Sequence, residues 1–386
     1  MTSSEHLNDR SSASASAGVL DVDLSAIRAN YRLLQARLAG ARCAGVVKAD
    51  AYGLGAAYVA PVLHAEGCRD FFVAHLDEAL TLRPLLPADS TLYVLNGLAG
   101  DAVRECALSG VVPVLNSADQ LAAWRAEAGR LGRVLPAVVQ IDTGMSRLGL
   151  APRDVEALAR DGLAFAGLDI RFLMSHLACA DEPAHPANAE QLAAFRAGHA
   201  ALAAHPAFAR AGRCLANSSG IFLGRDYHFD MARPGAALYG INPQPGSGNP
   251  MQAVVRLSAR VIQTRAIPQG AHVGYGYTFE APTPARVATL AVGYADGWLR
   301  SLSGRGAAWL DGHRLPILGR VSMDSVCVDI SALPEGLVGT DTRVELIGDR
   351  QGVDDVATAA GTIGYEILTS LGHRYRRIYR GAALPS

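Results

Sequence analysis

The chain has 386 residues, of which half are apolar and 18% are charged, and its formal net charge at pH 7 is -1. This length and composition are typical of a globular protein that buries two cores of ordinary domain size. Because acidic and basic residues nearly cancel, we expect no nucleic-acid partner, which would require a basic surface. The longest apolar runs are too short and too interrupted to cross a bilayer, so no membrane association is expected.

The cysteines and the first residues indicate the compartment. Six cysteines occur without any CxxC spacing, so we expect neither a metal site nor a disulfide framework, and we expect a reducing cytoplasmic location. Residues 1–17 are polar and rich in Ser and Ala, and they lack the basic and apolar segments of a signal peptide. We therefore predict a disordered tail over 1–17.

After this tail, the sequence alternates between helical and strand-like patterns. Helical spacing of apolar residues predicts a helix over 25–40, and capping-box patterns at 117–120 and 188–191 predict two later helix starts. Eight short apolar runs end in polar or glycine-containing turns: 43–48, 71–74, 91–95, 111–115, 135–141, 170–174, 213–216 and 231–235. Eight strands alternating with helices predict a (β/α)8 TIM barrel, with a doubly wound sheet as the alternative.

A segment rich in proline and glycine at 241–250 is the clearest linker in the chain. Beyond it the sequence predicts strands, a hairpin that turns at 311–312, and a helix near 353–371. The predicted strands are 255–263, 286–292, 325–330 and 343–347. We therefore expect a barrel domain over 18–248, whose first residues are able to pair with the second domain, and a mainly β C-terminal domain over 249–386.

The segment from Val46 to Gly55 places Lys48 directly after a predicted buried strand, with Tyr52 close behind. In a barrel this is the C-terminal mouth, where active sites lie. A partly desolvated lysine amine forms a Schiff base with an aldehyde cofactor. A single lysine at a strand end is more often an ordinary exposed residue than a catalytic one. The functional assignment therefore depends on the other motifs.

Two segments after late predicted strands are suited to a phosphate group. One contains Asn217 and Ser218, and the other contains Arg233, Gly235 and Ala236. Late strands of barrels commonly build phosphate sites from backbone N–H groups, hydroxyls and small residues. Taken alone, the Asn-Ser-Ser-Gly segment is more simply a turn.

Other polar residues at the predicted strand ends have both a functional and a structural interpretation. Arg147 follows the fifth strand, where its fork could bind a substrate carboxylate or form a surface ion pair. His176 ends the sixth strand, where a hydrogen-bonded core histidine is the ordinary interpretation. Tyr275 and Tyr294 lie beside glycines in the second domain, a pattern that also occurs where tyrosines pack against turns.

Taken together, these segments resemble the alanine racemase family from about residue 18 to residue 380. Val-Val-Lys-Ala-Asp-Ala-Tyr-Gly is the most specific motif, and Asp-Thr-Gly-Met-Ser-Arg, Ala-Asn-Ser-Ser, Arg-Pro-Gly-Ala-Ala-Leu-Tyr-Gly and Ser-Met-Asp follow in the family's order. The resemblance implies a pyridoxal 5'-phosphate (PLP) enzyme that interconverts L- and D-alanine, either for peptidoglycan or for alanine catabolism. It also implies a head-to-tail homodimer with shared active sites.

The resemblance also implies residue roles. Lys48 resembles the Schiff-base lysine and Tyr275 the opposing acid/base, while Arg147, Met323 and Tyr294 resemble residues around the substrate. Tyr275, Tyr294 and Met323 would come from the partner subunit. The implied cofactor-binding residues are Lys48, Tyr52, His176, Asn217, Ser218, Arg233, Gly235, Ala236 and Tyr365.

Two positions depart from the family's pattern. Some members carry a carbamylated lysine seven residues before the matching arginine, and here that position is Gln140. The family often has a proline between two arginines near the C-terminus, and here Tyr375-Arg376 replaces that pattern, which we expect to affect dimer packing.

Three alternative functions are weighed against alanine racemisation. They are a broad-specificity racemase for serine or larger side chains, a PLP-dependent decarboxylase, and a non-catalytic PLP carrier. Decarboxylases of this architecture lack a counterpart of Tyr275, and PLP carriers resemble the first domain only. A racemase is therefore favoured over both.

Overall fold

The computed structural model describes residues 16–98 and 100–381, so most of the predicted tail lies outside the described residues. The backbone divides into two compact units. One unit is Ile27–Gln252, and the other joins the described residues before Ile27 to those from Ala253 onward. The domain limits predicted from the sequence remain predictions.

The unit Ile27–Gln252 is built around parallel strands that close into a barrel. Its strands are β2 (Arg42–Cys43), β3 (Gly45–Val46), β4 (Asp70–Val73), β5 (Thr91–Val94), β6 (Val112–Leu115), β7 (Leu135–Gln140), β8 (Leu168–Met174), β9 (Gly212–Asn217) and β10 (Met231–Arg233). Strands β2 and β3 are separated only by Ala44 and occupy one position. Because β2 pairs with β10 and β3 pairs with β4, the sheet closes with eight positions, which confirms the predicted (β/α)8 barrel.

Helices alternate with the barrel strands. They are α1 (Leu24–Leu38), α2 (Ala56–Ala65), α3 (Leu76–Leu82), α4 (Ala102–Ser109), α5 (Ala118–Leu131), α6 (Pro152–Arg160) and α7 (Ala187–Ala203). The predicted start of α5 is confirmed, because Ser117 Oγ accepts the Gln120 N–H at 3.2 Å. The predicted start at 188–191 is wrong by a few residues: α7 begins at Ala187, and the Asn188 side chain instead donates to the Glu182 carbonyl at 3.0 Å.

The barrel strands are buried along nearly their whole length because helices cover their outer surface. Every residue of β4 and β6 is buried, including the aromatic pair Phe71 and Phe72. Parallel strands covered on both faces appear in a sequence as continuous apolar runs, which is the pattern from which these strands were predicted. The polar segments at their carboxyl ends therefore stand out as candidate site residues.

The second unit contains an eight-stranded sheet. Its strands, in sheet order, are β14 (Ala285–Leu290), β17 (Val326–Asp329), β16 (His313–Leu318), β15 (Ala307–Leu310), β18 (Arg343–Ile347), β11 (Val255–Ile267), β1 (Gly18–Asp23) and β19 (Arg376–Arg380). A short ribbon of β12 (His272–Val273) and β13 (Phe279–Glu280) accompanies it. The predicted hairpin is confirmed: Asp311 and Gly312 both have positive φ between β15 and β16, as a tight two-residue turn requires.

Three details of the second unit differ from the simplest prediction or extend it. The single helix predicted near 353–371 is two helices, α8 (Val353–Ala360) and α9 (Gly364–Ser370), separated at Gly361, whose φ is +73°. Strand β1 pairs antiparallel with β11 and parallel with β19. Tyr375 is buried within this unit, where a Cβ on Gly18 would lie 2.6 Å from its ring.

None of the helices in the described part of the chain is long and apolar enough to cross a membrane. Within the same residues, no group of three or more His, Cys, Asp or Glu side chains is arranged to hold a metal ion.

Candidate active site

The predicted site residues of the first unit lie at the carboxyl ends of its barrel strands. Lys48 follows β3, Arg147 follows β7, His176 follows β8, Ser218 follows β9, and Gly235 follows β10. Carboxyl ends of parallel strands meet at one mouth of a barrel, so the topology places these five residues around one opening.

The backbone that carries Lys48 forms a left-handed turn. Ala49, Asp50, Ala51 and Tyr52 have φ angles of +51° to +58°. This conformation costs an L-residue roughly 1–2 kcal/mol because Cβ approaches the following carbonyl. The Gly53 N–H closes the turn on the Ala49 carbonyl at 2.7 Å. Four consecutive non-glycine residues in this region were not predicted from the sequence, since only Asp50 is of a type that visits it with any frequency.

Two carboxylates anchor the two ends of this turn. Glu78 Oε1 accepts the Ala49 N–H at 2.6 Å, and Asp50 Oδ1 accepts the Ala56 N–H at 2.7 Å. A strained backbone persists only where surrounding contacts determine it, and such segments concentrate at functional sites. Glu78 was not singled out from the sequence, because an acidic residue in the first helical turn is common for other reasons.

Lys48 is the only lysine in the chain, and the other 34 basic residues are arginines. Burial lowers the pKa of its amine, and the charges of Arg147 and Arg233 lower it further, while Glu78 acts in the opposite direction. A lowered pKa increases the fraction of neutral, nucleophilic amine near neutral pH. The chain therefore has one side-chain amine, and its surroundings favour the reactive form.

Tyr52, Ser218 and Gly235 form a small polar cradle. Ser218 Oγ accepts the N–H groups of Gly235 at 2.9 Å and Ala237 at 3.2 Å. A Cβ added to Gly235 would lie 2.3 Å from the Tyr52 hydroxyl, so that hydroxyl uses the space that a side chain would fill. Hydroxyls beside a glycine turn are suited to a phosphate group, so these residues fit the predicted phosphate end of PLP.

Next to the cradle the predicted Asn217 and Ala236 shape the backbone. The Asn217 side-chain oxygen accepts the Gly220 N–H at 2.9 Å, which shapes the turn after β9. Ala236 is buried at the start of a short 3-10 turn that runs to Tyr239. The Tyr239 ring lies 4.8 Å from that of Tyr52, which fixes the phenol in place.

Arg233 is buried and held by the backbone rather than by a carboxylate. It donates to the carbonyls of Cys214 at 3.1 Å and Ser175 at 2.8 Å, and it contacts His176 Nδ1 at 3.4 Å. Burial lowers the pKa of His176 to about 3, and the charges of Arg233, Arg147 and Lys48 lower it in the same direction. His176 is therefore neutral at physiological pH.

The loop after β7 carries Arg147 and is rigidly built. Asp142 Oδ1 accepts the N–H groups of Gly144, Met145 and Ser146 at 2.9–3.1 Å, a loop stabilised by one carboxylate oxygen. Arg147 is exposed and its charge acts on Lys48 and His176.

Gln191 of α7 joins the loop after β7 to the loop after β8. Its Nε2 donates to Thr143 Oγ1 at 3.3 Å and to the His176 carbonyl at 3.0 Å, while its Oε1 accepts the Ala178 N–H at 2.8 Å. Gln191 was noticed in the sequence only as a capping-box residue, a role it does not have. Gln140, at the position of the family's modified lysine, is buried at the end of β7.

The second unit presents Tyr275 on an exposed turn. Gly274 and Gly276 flank it with φ angles of +79° and +70°, a conformation that glycine adopts without strain. Both Tyr275 and Tyr277 are 72% exposed. The Tyr275 side chain is therefore presented at the surface of this unit rather than packed in its core.

Tyr294 and Met323 lie on two loops of the second unit that are bound together. The N–H groups of Tyr294 and Ala295 donate to the carbonyls of Ser322 and Met323 at 3.0 and 2.9 Å. The side chains of Tyr294 and Met323 are 42% and 53% exposed.

One arginine links these two loops from behind. Arg374 forms two hydrogen bonds with Asp296, at 2.6 and 2.8 Å, and one with Asp324 at 2.6 Å. Asp296 is two residues beyond Tyr294, and Asp324 follows Met323. Tyr365, the remaining predicted residue, lies in the first turn of α9 with its side chain exposed.

Comparison with known families gives matches over both units. Residues 22–243 match the family model of the alanine racemase N-terminal domain, and residues 254–379 match that of the C-terminal domain. A relative from Mesorhizobium japonicum named alanine racemase, catabolic, is 56% identical over 96% of this chain and 95% of its own. One of the same name from Agrobacterium fabrum is 53% identical over 97% and 95%.

Solved structures agree with these matches. Alanine racemase from Bartonella henselae, solved with covalently bound pyridoxal phosphate, superimposes with a TM-score of 0.90 at 43% identity. The match covers 95% of this chain and all of that one.

Proposed function

Because this chain belongs to the alanine racemase family, we propose that it interconverts L- and D-alanine with Lys48 and Tyr275 as its two bases. One observation supports the assignment above all others. Lys48 is the only side-chain amine of the chain, and it stands at the mouth of the barrel with a lowered pKa. A racemase needs one proton acceptor on each side of the α-carbon, and a neutral amine suits one side.

PLP is the cofactor, and it supplies an aldehyde that combines with a lysine amine and a ring that withdraws electrons from the α-carbon. We propose that Lys48 binds the aldehyde end and that the cradle binds the phosphate. Arg233 would face the ring nitrogen with its fixed positive charge and disfavour protonation there, and neutral His176 would support it. The proposed residues at the phosphate end are Tyr52, Asn217, Ser218, Gly235, Ala236 and Tyr365.

Tyr275 is proposed as the base on the opposite side, contributed by the second subunit of a head-to-tail homodimer. The support is its 72% exposure on a turn that two glycines shape. When Lys48 accepts the proton from one face, Tyr275 of the partner subunit would donate one to the other face. The stereochemistry at the α-carbon would thereby be inverted.

The substrate is a small amino acid. We propose that Arg147 holds its carboxylate through two parallel hydrogen bonds, and that the backbone of Met323 of the partner subunit contributes another. Tyr294 of the partner subunit would narrow the access. We also propose a cytoplasmic location, supported by the six free cysteines of the described chain.

The activity assay incubates purified protein with PLP and L-alanine in D2O. Circular dichroism monitors the optical activity, and proton NMR monitors the hydrogen at the α-carbon. We expect loss of optical activity together with deuterium incorporation. Lys48→Ala should remove both the visible absorption of lysine-bound PLP and the racemisation. A Lys48→Ala protein that still racemised alanine would rule out the assignment.

A catabolic role is proposed as well, on the strength of the names that the Mesorhizobium and Agrobacterium relatives carry. Disruption of the gene should abolish growth on one enantiomer of alanine as carbon source but not on the other, without creating a requirement for added D-alanine. A strict D-alanine requirement would instead indicate supply for peptidoglycan.

A further inference from the structure

Glu78 binds the backbone on both sides of the gap between two neighbouring barrel strands. Its Oε1 accepts the N–H of Ala49, the residue directly after Lys48, at 2.6 Å. Its Oε2 accepts the N–H groups of Ala74 and His75, which follow β4, at 2.7 and 3.0 Å. One carboxylate therefore accepts three backbone donors and fixes the end of β3 to the end of β4.

The bond to Ala49 lies where the chain most needs a restraint. Ala49 is the first of the four left-handed residues, so the path of the backbone after Lys48 depends on this turn. Because the conformation is intrinsically disfavoured, external contacts have to select it. Glu78 provides such a contact at the residue next to the amine-bearing one.

Charge gives Glu78 a second effect on Lys48. Arg147 and Arg233 act on the amine as positive charges, and Glu78 is the negative charge among the groups that act on it. His176, which is also in this environment, is neutral at physiological pH. Glu78 therefore opposes the two arginines and limits how far the pKa of Lys48 falls.

We propose that Glu78 is the positioning residue for Lys48: its carboxylate holds the left-handed turn that aims the lysine and balances the positive charge around the amine. This inference rests on the proposed function only in taking Lys48 as the reactive amine. It predicts properties of the amine that are measurable without turnover, so its failure is distinguishable from a failure of the proposed function.

The single lysine makes a direct test simple. Full-length protein labelled with [ε-13C]lysine and freed of PLP contains one labelled side chain, so one NMR resonance reports the titration of Lys48 alone. In Glu78→Gln we expect the pKa of that amine to fall by about one pH unit, because the opposing negative charge is gone. The glutamine oxygen can still accept one backbone N–H, which favours a folded variant.

Asp77→Asn is the matched control. Asp77 is in the same first turn of α3 and is exposed, and its replacement removes the same charge one residue away. We expect the Lys48 resonance to titrate as in the unmodified protein. An unchanged pKa in Glu78→Gln, or an equal fall in both variants, would overturn the electrostatic part of the proposal.

The positioning part has its own readout. Hydrogen exchange over residues 48–56, measured by mass spectrometry, should become about tenfold faster in Glu78→Gln and stay unchanged in Asp77→Asn, because the N-terminal anchor of the turn is weakened. In the holoenzyme, kcat for alanine should fall while KM stays within about twofold, since the amine rather than the substrate pocket is displaced. Unchanged exchange in this segment would show that Glu78 does not hold the turn.

Discussion

The Tyr52 hydroxyl occupies the space that a side chain at Gly235 would need. A Cβ on Gly235 would lie 2.3 Å from that oxygen and 3.0 Å from the adjoining ring carbon. The phenol cannot simply move aside, because its ring is buried and packs 4.8 Å from that of Tyr239. Glycine at residue 235 is therefore required for the position of the Tyr52 hydroxyl.

Gly235→Ala should weaken PLP binding by about ten- to a hundredfold, because the added methyl group displaces the Tyr52 hydroxyl or shifts the turn that Ser218 holds. PLP titration of the cofactor-free protein, followed by visible absorption, measures the effect. Unaltered PLP affinity would show that this cradle does not bind the cofactor.

Gly129→Ala is the control for that substitution. Gly129 lies within α5, and a Cβ there would meet no atom within 4 Å. Alanine is a better helix former, so we expect about 0.5–1 kcal/mol of added stability and unchanged PLP affinity.

Tyr275→Phe should keep the visible absorption of bound PLP and lose racemisation, because only the phenolic proton is removed. Exchange of the alanine α-proton should survive better from one enantiomer than from the other, since Lys48 still serves its own face. Deuterium incorporation into L- and D-alanine, measured separately, checks this expectation.

Tyr277→Phe offers a matched comparison for Tyr275→Phe, because both tyrosines lie in the same turn with the same exposure. It should racemise alanine normally. Equal survival of exchange from both enantiomers in Tyr275→Phe would contradict the two-base assignment.

His176→Gln should flatten the pH dependence of stability of the cofactor-free protein. The pKa of His176 is about 3 in the folded chain, against an ordinary value of 6.5, so the unfolded chain binds the additional proton between these values. The folded state therefore loses nothing by keeping His176 neutral above pH 6.5. As the pH falls from 6.5 toward 3, the free energy of unfolding decreases by at most about 1.4 kcal/mol per pH unit because of this group.

Denaturation curves between pH 7 and pH 4 test this prediction, with His313→Gln as the control. His313 is exposed at the start of β16, so its replacement removes one imidazole from a surface position and serves as the matched control. Parallel curves for His176→Gln and the unmodified protein would show that His176 is not held neutral.

Arg374→Ala should lower kcat/KM for alanine by roughly ten- to a hundredfold through misplacement of Tyr294 and Met323, without direct contact with the reacting atoms. Asp296, which is buried, loses its cationic partner, so the melting temperature should fall as well.

Steady-state kinetics and thermal melting measure both effects of Arg374→Ala. Arg350→Ala, which removes an exposed arginine elsewhere in the same unit, should change neither quantity. A lower melting temperature with unchanged kinetics would assign Arg374 to stability alone.

The barrel was predictable because its strands are buried on both faces and therefore form short apolar runs that end in polar segments. The same logic located Lys48, Arg147 and His176, since each lies in the polar segment at or just after the end of such a run. The turn between Lys48 and Gly53 was not predictable, because its left-handed residues include two alanines that by themselves favour an ordinary helix.

Contacts that are distant in sequence account for the remaining differences. Glu78 and Gln191 act through hydrogen bonds to loops that follow other strands, and nothing local in their sequence distinguishes them from ordinary helix residues. The start of α7 at Ala187 follows from a bond between Asn188 and Glu182, which competes with the predicted capping role. Gly361 divides the last helical segment because its positive φ ends α8.

The place of β1 between β11 and β19 has a consequence for synthesis on the ribosome. Strand β1 is translated first, whereas β19 emerges roughly 350 residues later, which at about 5–20 residues per second is a delay of roughly 20–70 seconds. Until β11 emerges, roughly 240 residues after β1, Val19, Leu20 and Val22, which are all buried in the finished sheet, have neither of their native partner strands. The nascent chain must therefore keep one apolar strand unpaired while the whole barrel is being synthesised.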